Sequence, residues 1–427
     1  MTEIELAYGD SSFKLTIDQS RFSVITTDAS SENPLTDVEI GETFDSPIGS
    51  PPLDELVSSD DSVLIVVSDA TRATASAQNV NLLVRRLVQL GVSPSNVAII
   101  FATGIHRPVT HEEKLKLLSP FIVQRVRTLN HNAYDPGSLV SLGTTERGVP
   151  VEVNKALREF SKTIVIGGVG FHYFAGFTGG RKSICPGLAS AATIERTHML
   201  ALDFQRGGRH AAVGTALLDG NAVHEECEGV AKLVGPAFGI NTIVDESKRA
   251  VRVFCGDWRL SHRAACNEYL RSHSVEIAAK KDLVIVSCAG FPYDINLIQA
   301  HKALEMASQA VEEGGSIILL AECRDGLGRP DFLKWFESYD SRELEHRLQT
   351  QYEVNGQTAW SLLTKVERFP VHLLSTLALD DVKKMRMEPS ASLDAAFDKL
   401  DRWQECYVMP RGAAVLPRVV SSRPQAA

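Results

Sequence analysis

Long apolar runs are missing from this sequence: none approaches the roughly 20 consecutive residues that a membrane-spanning helix needs. The opening residues, MTEIELAYGDSS, are acidic and alternating, unlike the basic-then-apolar pattern of a secretory signal. A basic excess is missing too. The 427 residues carry a formal net charge of -9, where a nucleic-acid binder would show a positive field. An anionic small substrate is still allowed, because a local pocket of Arg, Lys and His can be positive inside an acidic shell. Paired cysteines are also lacking. The seven cysteines (185, 227, 255, 266, 288, 323 and 406) include no CxxC, so they read as reduced thiols of a cytoplasmic protein without a zinc knuckle. What is present, 44% hydrophobic and 23% charged residues, fits a globular chain long enough for two domains with separate cores.

Periodicity supplies the frame. Residues 3–8 and 12–17 alternate around Gly9-Asp10-Ser11 and predict a β-hairpin. Residues 28–60, rich in Ser, Pro, Asp and Glu, read as a surface connection with one short helix at 53–58. Val63 to Ser68 (VLIVVS), Val97 to Thr103 (VAIIFAT) and Thr163 to Gly168 (TIVIGG) are continuous apolar strands of the kind buried in parallel sheets. Helices are predicted at 78–90 and at 110–118, the second opened by the capping box Thr110/Glu113. A second series follows a helical stretch at 264–279: strand 283–288, helix 300–312, strand 316–321, then helices at 331–339 and 341–352. The expected fold class is α/β: two α/β domains with largely parallel sheets and an interdomain active-site cleft. The expected spans are 1–272 and 273–416, with a mobile tail over 417–427.

Chemistry-bearing residues fall after the predicted strands, where open α/β sheets bind ligands. Asp69 and Arg72 follow VLIVVS, His106 and Arg107 follow VAIIFAT, and His172 follows TIVIGG. In the second domain Asp294, Asn296, Gln299 and Lys302 follow LVIVSC. The densest stretch is FHYFAGFTGGRKSICPG at 171–187, with His198 sixteen positions beyond Lys182. Its glycines let backbone approach a ligand, its lysine can serve as a point charge or an amine nucleophile, and its histidines can ligate metal or move protons. A phosphate-binding P-loop needs Gly directly before Lys-Ser; Arg181 stands there.

Taken with TGIHRP at 103–108, SDATR at 68–72 and Gln-Ala-His-Lys at 299–302, in that order, this stretch resembles the nickel-dependent lactate racemase family. The resemblance implies a racemase or epimerase of 2-hydroxy acids, lactate or a relative. It implies that Lys182 carries, through a thioamide, a nickel pincer nucleotide (pyridinium-3-thioamide-5-thiocarboxylic acid mononucleotide), with Ni bound by the pincer and by His198. Soft sulfur plus imidazole suits nickel. It further implies that His106 and His172 exchange protons with the substrate, one for each enantiomer, and that Arg72, Gln299 and Lys302 bind it. Asp69 is expected near the cofactor, with a helix N-cap as its alternative role. Thr71, Arg72 and the following residues are expected to open a helix whose amides bind the cofactor phosphate, as are Gly179, Gly180 and Arg181. Cofactor-synthesis enzymes would be transient partners; neither nucleic acid nor membrane is expected.

Two other readings stay open on the residues. One is a zinc-type hydrolase built on His106, His172 and His198; the other is a non-catalytic paralogue that senses a nucleotide or hydroxy acid. Asp219 to Glu226 reads as capping and surface charge before metal ligation. The side-chain pocket, near Ile298 or Trp360, leaves the R group of the substrate open.

Overall fold

A computed structural model describes residues 1–27, 32–70, 72–401 and 403–420. The chain divides into two units: Ala29–Asp203 with Arg209–Arg271, and Met1–Asp28 with Phe204–Gly208 and Ser272–Ala427.

The first unit is built on a six-stranded sheet, in the order Ala250–Gly256, Phe238–Val244, Lys162–Gly168, Val63–Ser68, Val97–Ala102, Arg127–Asn130. The first pair is antiparallel; all other neighbours are parallel. Val63 through Val67 are fully buried, as a strand covered on both faces requires. The helix Ser76–Gln89 packs Val80, Leu83, Val84 and Leu87 into the core that covers one face. From Val63–Ser68 the chain moves to Val97–Ala102 on one side, and Lys162–Gly168 returns on the other. That reversal opens a crevice at the carboxyl ends of the three central strands.

Three local expectations are corrected in this unit. The helix after VLIVVS begins at Ser76, not at Thr71, and its N-cap Ala75 has a left-handed φ of 48°. Residues 72–75 therefore offer no helix N-terminus to a phosphate, Asp69 caps no helix, and Thr71 lies outside the described residues. The connection over 28–60 holds two helices, Asp37–Asp45 and Leu53–Leu56, and the longer buries Ile40 and Phe44. Its signal was present as Thr36-x-x-Glu39, which forms a complete capping box.

The second unit holds an all-parallel sheet in the order Glu388–Pro389, Val371–Leu374, Val311–Leu320, Lys281–Ser287, Cys406–Met409, Phe22–Val24. The first 28 residues thus belong here and not to a continuous span 1–272. Phe22–Val24 extends the sheet edge beside Cys406–Met409, and the hairpin Thr2–Tyr8/Ser11–Ile17 packs Leu6, Leu15 and Ile17 into this unit's core. Asp294 is a tie for that hairpin: its Oδ2 accepts from the Gly9 N–H at 2.7 Å and the Glu322 N–H at 3.1 Å. The tail expected to be mobile from Pro417 is paired through Val419, since Leu416–Val419 lies parallel to Ser274–Ile277. Residues 421–427 lie outside the described residues. Among the described residues no helix is long and apolar enough to cross a membrane.

Candidate active site

The carboxyl ends of the two central strands bring Asp69 and His106 together. After Val97–Ala102 the chain turns tightly, the His106 N–H reaching the Thr103 carbonyl at 2.9 Å. Gly104, at φ +54°, docks this turn on the later loop, its N–H 2.9 Å from the Gly187 carbonyl. His106 Nδ1 lies 2.7 Å from Asp69 Oδ2; the aspartate is buried, and the imidazole is half exposed. A carboxylate acceptor makes Nδ1 the protonated nitrogen, so Nε2 keeps its lone pair and can act as a base. Arg107 turns away, forking onto Glu113 at 2.6 and 2.8 Å within the capping box of the next helix.

His172 stands on a two-residue hairpin, Phe171–His172 against Gly176–Phe177, just beyond Lys162–Gly168. Gly176 has φ +75°, and a Cβ there would meet the Leu217 carbonyl at 2.2 Å. Within the hairpin Phe174 is a hub. Its ring centroid lies 4.4 Å from that of His172 and 5.0 Å from that of His198, and Lys182 Nζ is 5.5 Å from it. Both imidazoles meet it edge-on. The buried Asn221 holds this position, its Nδ2 donating to the Phe174 carbonyl at 2.9 Å. Neither Phe174 nor Asn221 was expected in the site. Asn221 carries a legible signal, an Asn opening the helix Ala222–Val234 as its N-cap. Phe174→Ala should lower stability by about 3–5 kcal/mol, the usual cost of emptying a buried aromatic position, read as a lower denaturation midpoint.

Lys182 lies on the single turn Gly180–Ser183. The glycines before it are demanded by protein neighbours. Gly180 has φ +50°, and a Cβ there would lie 2.6 Å from His262 Cγ; a Cβ on Gly167 would strike Gly179 at 2.8 Å. The Arg181 side chain faces the interior, which leaves the expectation for its backbone amide untouched. Its guanidinium is buried, donating to the Ala175 carbonyl at 2.8 Å, to His262 Nε2 at 2.9 Å and weakly to the Gly179 carbonyl at 3.4 Å. It ties the hairpin to the lysine turn from within, since a planar fork with many donors satisfies several acceptors at once.

Cationic groups crowd this site. Burial of the Lys182 amine, with the charges of Arg181 and Arg72, lowers its pKa to about 7, so near neutrality much of it is free amine. His198 is buried in the last turn of Ala191–Met199, where the helix dipole favours the imidazolium. That contribution, about 1 kcal/mol, is worth less than one pKa unit. Burial outweighs it and, with the Lys182 charge, lowers His198 to about 3. His172 is held well below its usual range, chiefly by burial and then by Lys182 and Arg72. The neutral His198 has a buried Nδ1 without a hydrogen-bond partner among the described residues. A buried polar atom in that state is one that a bound group can satisfy, and a neutral imidazole near an amine that is partly deprotonated at neutrality fits a metal-bearing group attached at Lys182.

Arg72 is exposed, and its charge acts on both His172 and Lys182. In the other unit Gln299 and Lys302 share one face of the helix Leu297–Ala307, Lys302 Nζ donating to Gln299 Oε1 at 2.6 Å. Among the described residues no group of three or more His, Cys, Asp or Glu is placed to hold a metal ion, so the three-histidine zinc arrangement is not formed. Asp219 pairs with Arg263 at 2.8 Å, in keeping with a capping and charge role for its segment.

A family model described as the lactate racemase N-terminal domain matches residues 8–208, and one described as the lactate racemase C-terminal domain matches residues 277–416. The lactate racemase of Lactiplantibacillus plantarum is 32% identical over 410 residues, covering 93% of this chain and 95% of that protein. That of Thermoanaerobacterium thermosaccharolyticum is 30% identical over 435 residues, covering 98% and 100%. The solved lactate racemase apoprotein from T. thermosaccharolyticum superposes with a TM-score of 0.89 at 27% identity, covering 98% of this chain and 100% of that one. A Thermotoga maritima structure shares the fold, at 19% identity and a TM-score of 0.67 over 91% of this chain and 100% of that one.

Proposed function

The chain belongs to the lactate racemase family and is an isomerase, and we propose that it racemises or epimerises a 2-hydroxy acid, lactate or a close relative, with a nickel pincer nucleotide tethered to Lys182. The observation that carries this reading is the grouping of His172, His198 and the low-pKa Lys182 around one phenylalanine. Lys182 would form the covalent link, because an amine whose pKa is lowered to about 7 has a substantial free-base fraction near neutral pH and is nucleophilic. His198 would ligate nickel through a neutral ring nitrogen. When bound, the cofactor supplies an electrophilic carbon that accepts the substrate's α-hydrogen as hydride and returns it.

The remaining work falls to the chain's own side chains. His106 takes the hydroxyl proton at Nε2: the O–H bond breaks, the N–H bond forms, and the electron pair stays on oxygen. Asp69 holds the resulting imidazolium by its ion pair, as the carboxylate of a hydrolase triad does. Arg72 presents a fork suited to the substrate carboxylate. Gln299 and Lys302 are the further substrate-binding residues of this reading.

The test is chiral chromatography of D- and L-lactate and a panel of longer, aromatic and dicarboxylic 2-hydroxy acids. The protein is to be produced together with the cofactor-synthesis enzymes. At least one acid should reach an equal mixture of enantiomers from either side, and His106→Ala should abolish the conversion. No change of configuration in any of them would overturn the reading.

A further inference from the structure

The two histidines expected to exchange protons with substrate are held in opposite ways. His106 Nδ1 faces a carboxylate oxygen, Asp69 Oδ2 at 2.7 Å. His172 Nδ1 faces backbone donors, the Ala175 N–H at 3.2 Å and the Phe174 N–H at 3.5 Å. A carboxylate can only accept, and a peptide N–H can only donate. We propose that His106 and His172 rest as opposite tautomers, His106 protonated at Nδ1 and His172 at Nε2, and that Asn221 is the positioning residue that sets the second.

The role of Asn221 follows from the planarity of the peptide unit. The N–H aimed at His172 belongs to the same plane as the Phe174 carbonyl, and that carbonyl accepts from Asn221 Nδ2 at 2.9 Å. Asn221 is fully buried and fixed at its other end, because its Oδ1 accepts from the Val223 and His224 N–H groups at the start of a thirteen-residue helix. Its Nδ2 also reaches the Leu217 carbonyl at 2.9 Å. The next peptide is pinned as well, with the Ala175 carbonyl accepting from the Phe177 N–H at 2.9 Å and from Arg181 at 2.8 Å. The Ala175 N–H therefore cannot swing away from His172 without breaking a buried network.

The chemical consequence is an asymmetric site. His106 rests as a base. His172 rests as an N–H donor toward an oxygen of the substrate. For His172 to take a proton at Nε2, its ring must turn or its bond to Ala175 must open. Protonating His172 at Nδ1 would also set two N–H groups against each other, which disfavours the imidazolium in the same direction as burial does. The two enantiomers of a substrate thus meet different resting partners, a consequence that rests on the racemase reading.

The tautomers can be read without turnover, from nitrogen-15 histidine NMR of the cofactor-free full chain near pH 7.5. His106→Gln and His172→Gln variants identify the two signals. The signal lost in His172→Gln should show Nε2–H, and that lost in His106→Gln should show Nδ1–H. In Asn221→Ser, which keeps an oxygen for the helix cap, the His172 signal should move toward the Nδ1–H form while the His106 signal stays. An Nδ1–H pattern for His172 in the unaltered protein would overturn the tautomer pair. An unmoved His172 signal in a folded Asn221→Ser chain would overturn the role of Asn221. If the serine variant does not fold, Asn221→Asp, which also keeps the cap oxygen but has no amide donor, decides that second point. Because the measurement needs no cofactor, a failed racemase assay would leave its outcome standing, and the reverse holds too.

Discussion

Asp69→Asn is expected to lower kcat by up to about ten-thousandfold, the loss seen when the carboxylate behind a catalytic histidine is replaced by its amide. The change is nearly isosteric, yet it acts on His106 in two ways. An amide nitrogen turned toward Nδ1 would favour the tautomer with its proton on Nε2, which removes the base. An amide oxygen turned toward Nδ1 would keep the tautomer but supply no negative charge for the imidazolium. Both orientations weaken proton abstraction and leave substrate binding largely alone, so the loss belongs in kcat more than in KM. The thermal midpoint should change far less than the rate. A fall of less than tenfold would mean that His106 does not work through Asp69.

Lys182→Arg is expected to take activity below detection, because it keeps a cation of similar reach and removes the nucleophile. Arginine does not lose its proton in proteins. The lysine amine, with its pKa lowered to about 7 by burial, is the free base above that pH and the ammonium below it. In the cofactor-free chain, modification of Lys182 by an amine-acylating reagent, followed by peptide mass spectrometry, should therefore rise with pH and reach half its maximum rate near pH 7. Ordinary exposed lysines need about pH 10.4. A midpoint for Lys182 close to that of the exposed lysines would contradict a shielded amine, whatever the catalytic result.

Much of the frame was legible because buried parallel strands write themselves as continuous β-branched runs. Val63–Ser68 and Val97–Ala102 match their expected spans closely, and the Thr110/Glu113 box forms as its spacing predicts. Relations across the chain were not legible. Nothing local to Phe22–Val24 indicates pairing with Cys406–Met409, so the packing of residues 1–27 with the second unit was not legible. The site divides in the same manner. His106, His172 and Lys182 could be singled out by residue type and motif. Which way Arg181 points could not, because a glycine-rich loop with a cation reads alike whether the cation faces a ligand or the interior. Phe174 was hidden among the other aromatics of FHYFAGF, and its importance comes only from what surrounds it.

The most direct test of a lysine-tethered nickel cofactor is the intact mass and nickel content of the chain made together with the pincer-synthesis enzymes, beside Lys182→Ala. A covalent mass addition with about one nickel per chain, both absent in the variant, is the predicted result. An unmodified mass in the unaltered chain, or an addition that survives Lys182→Ala, would contradict it.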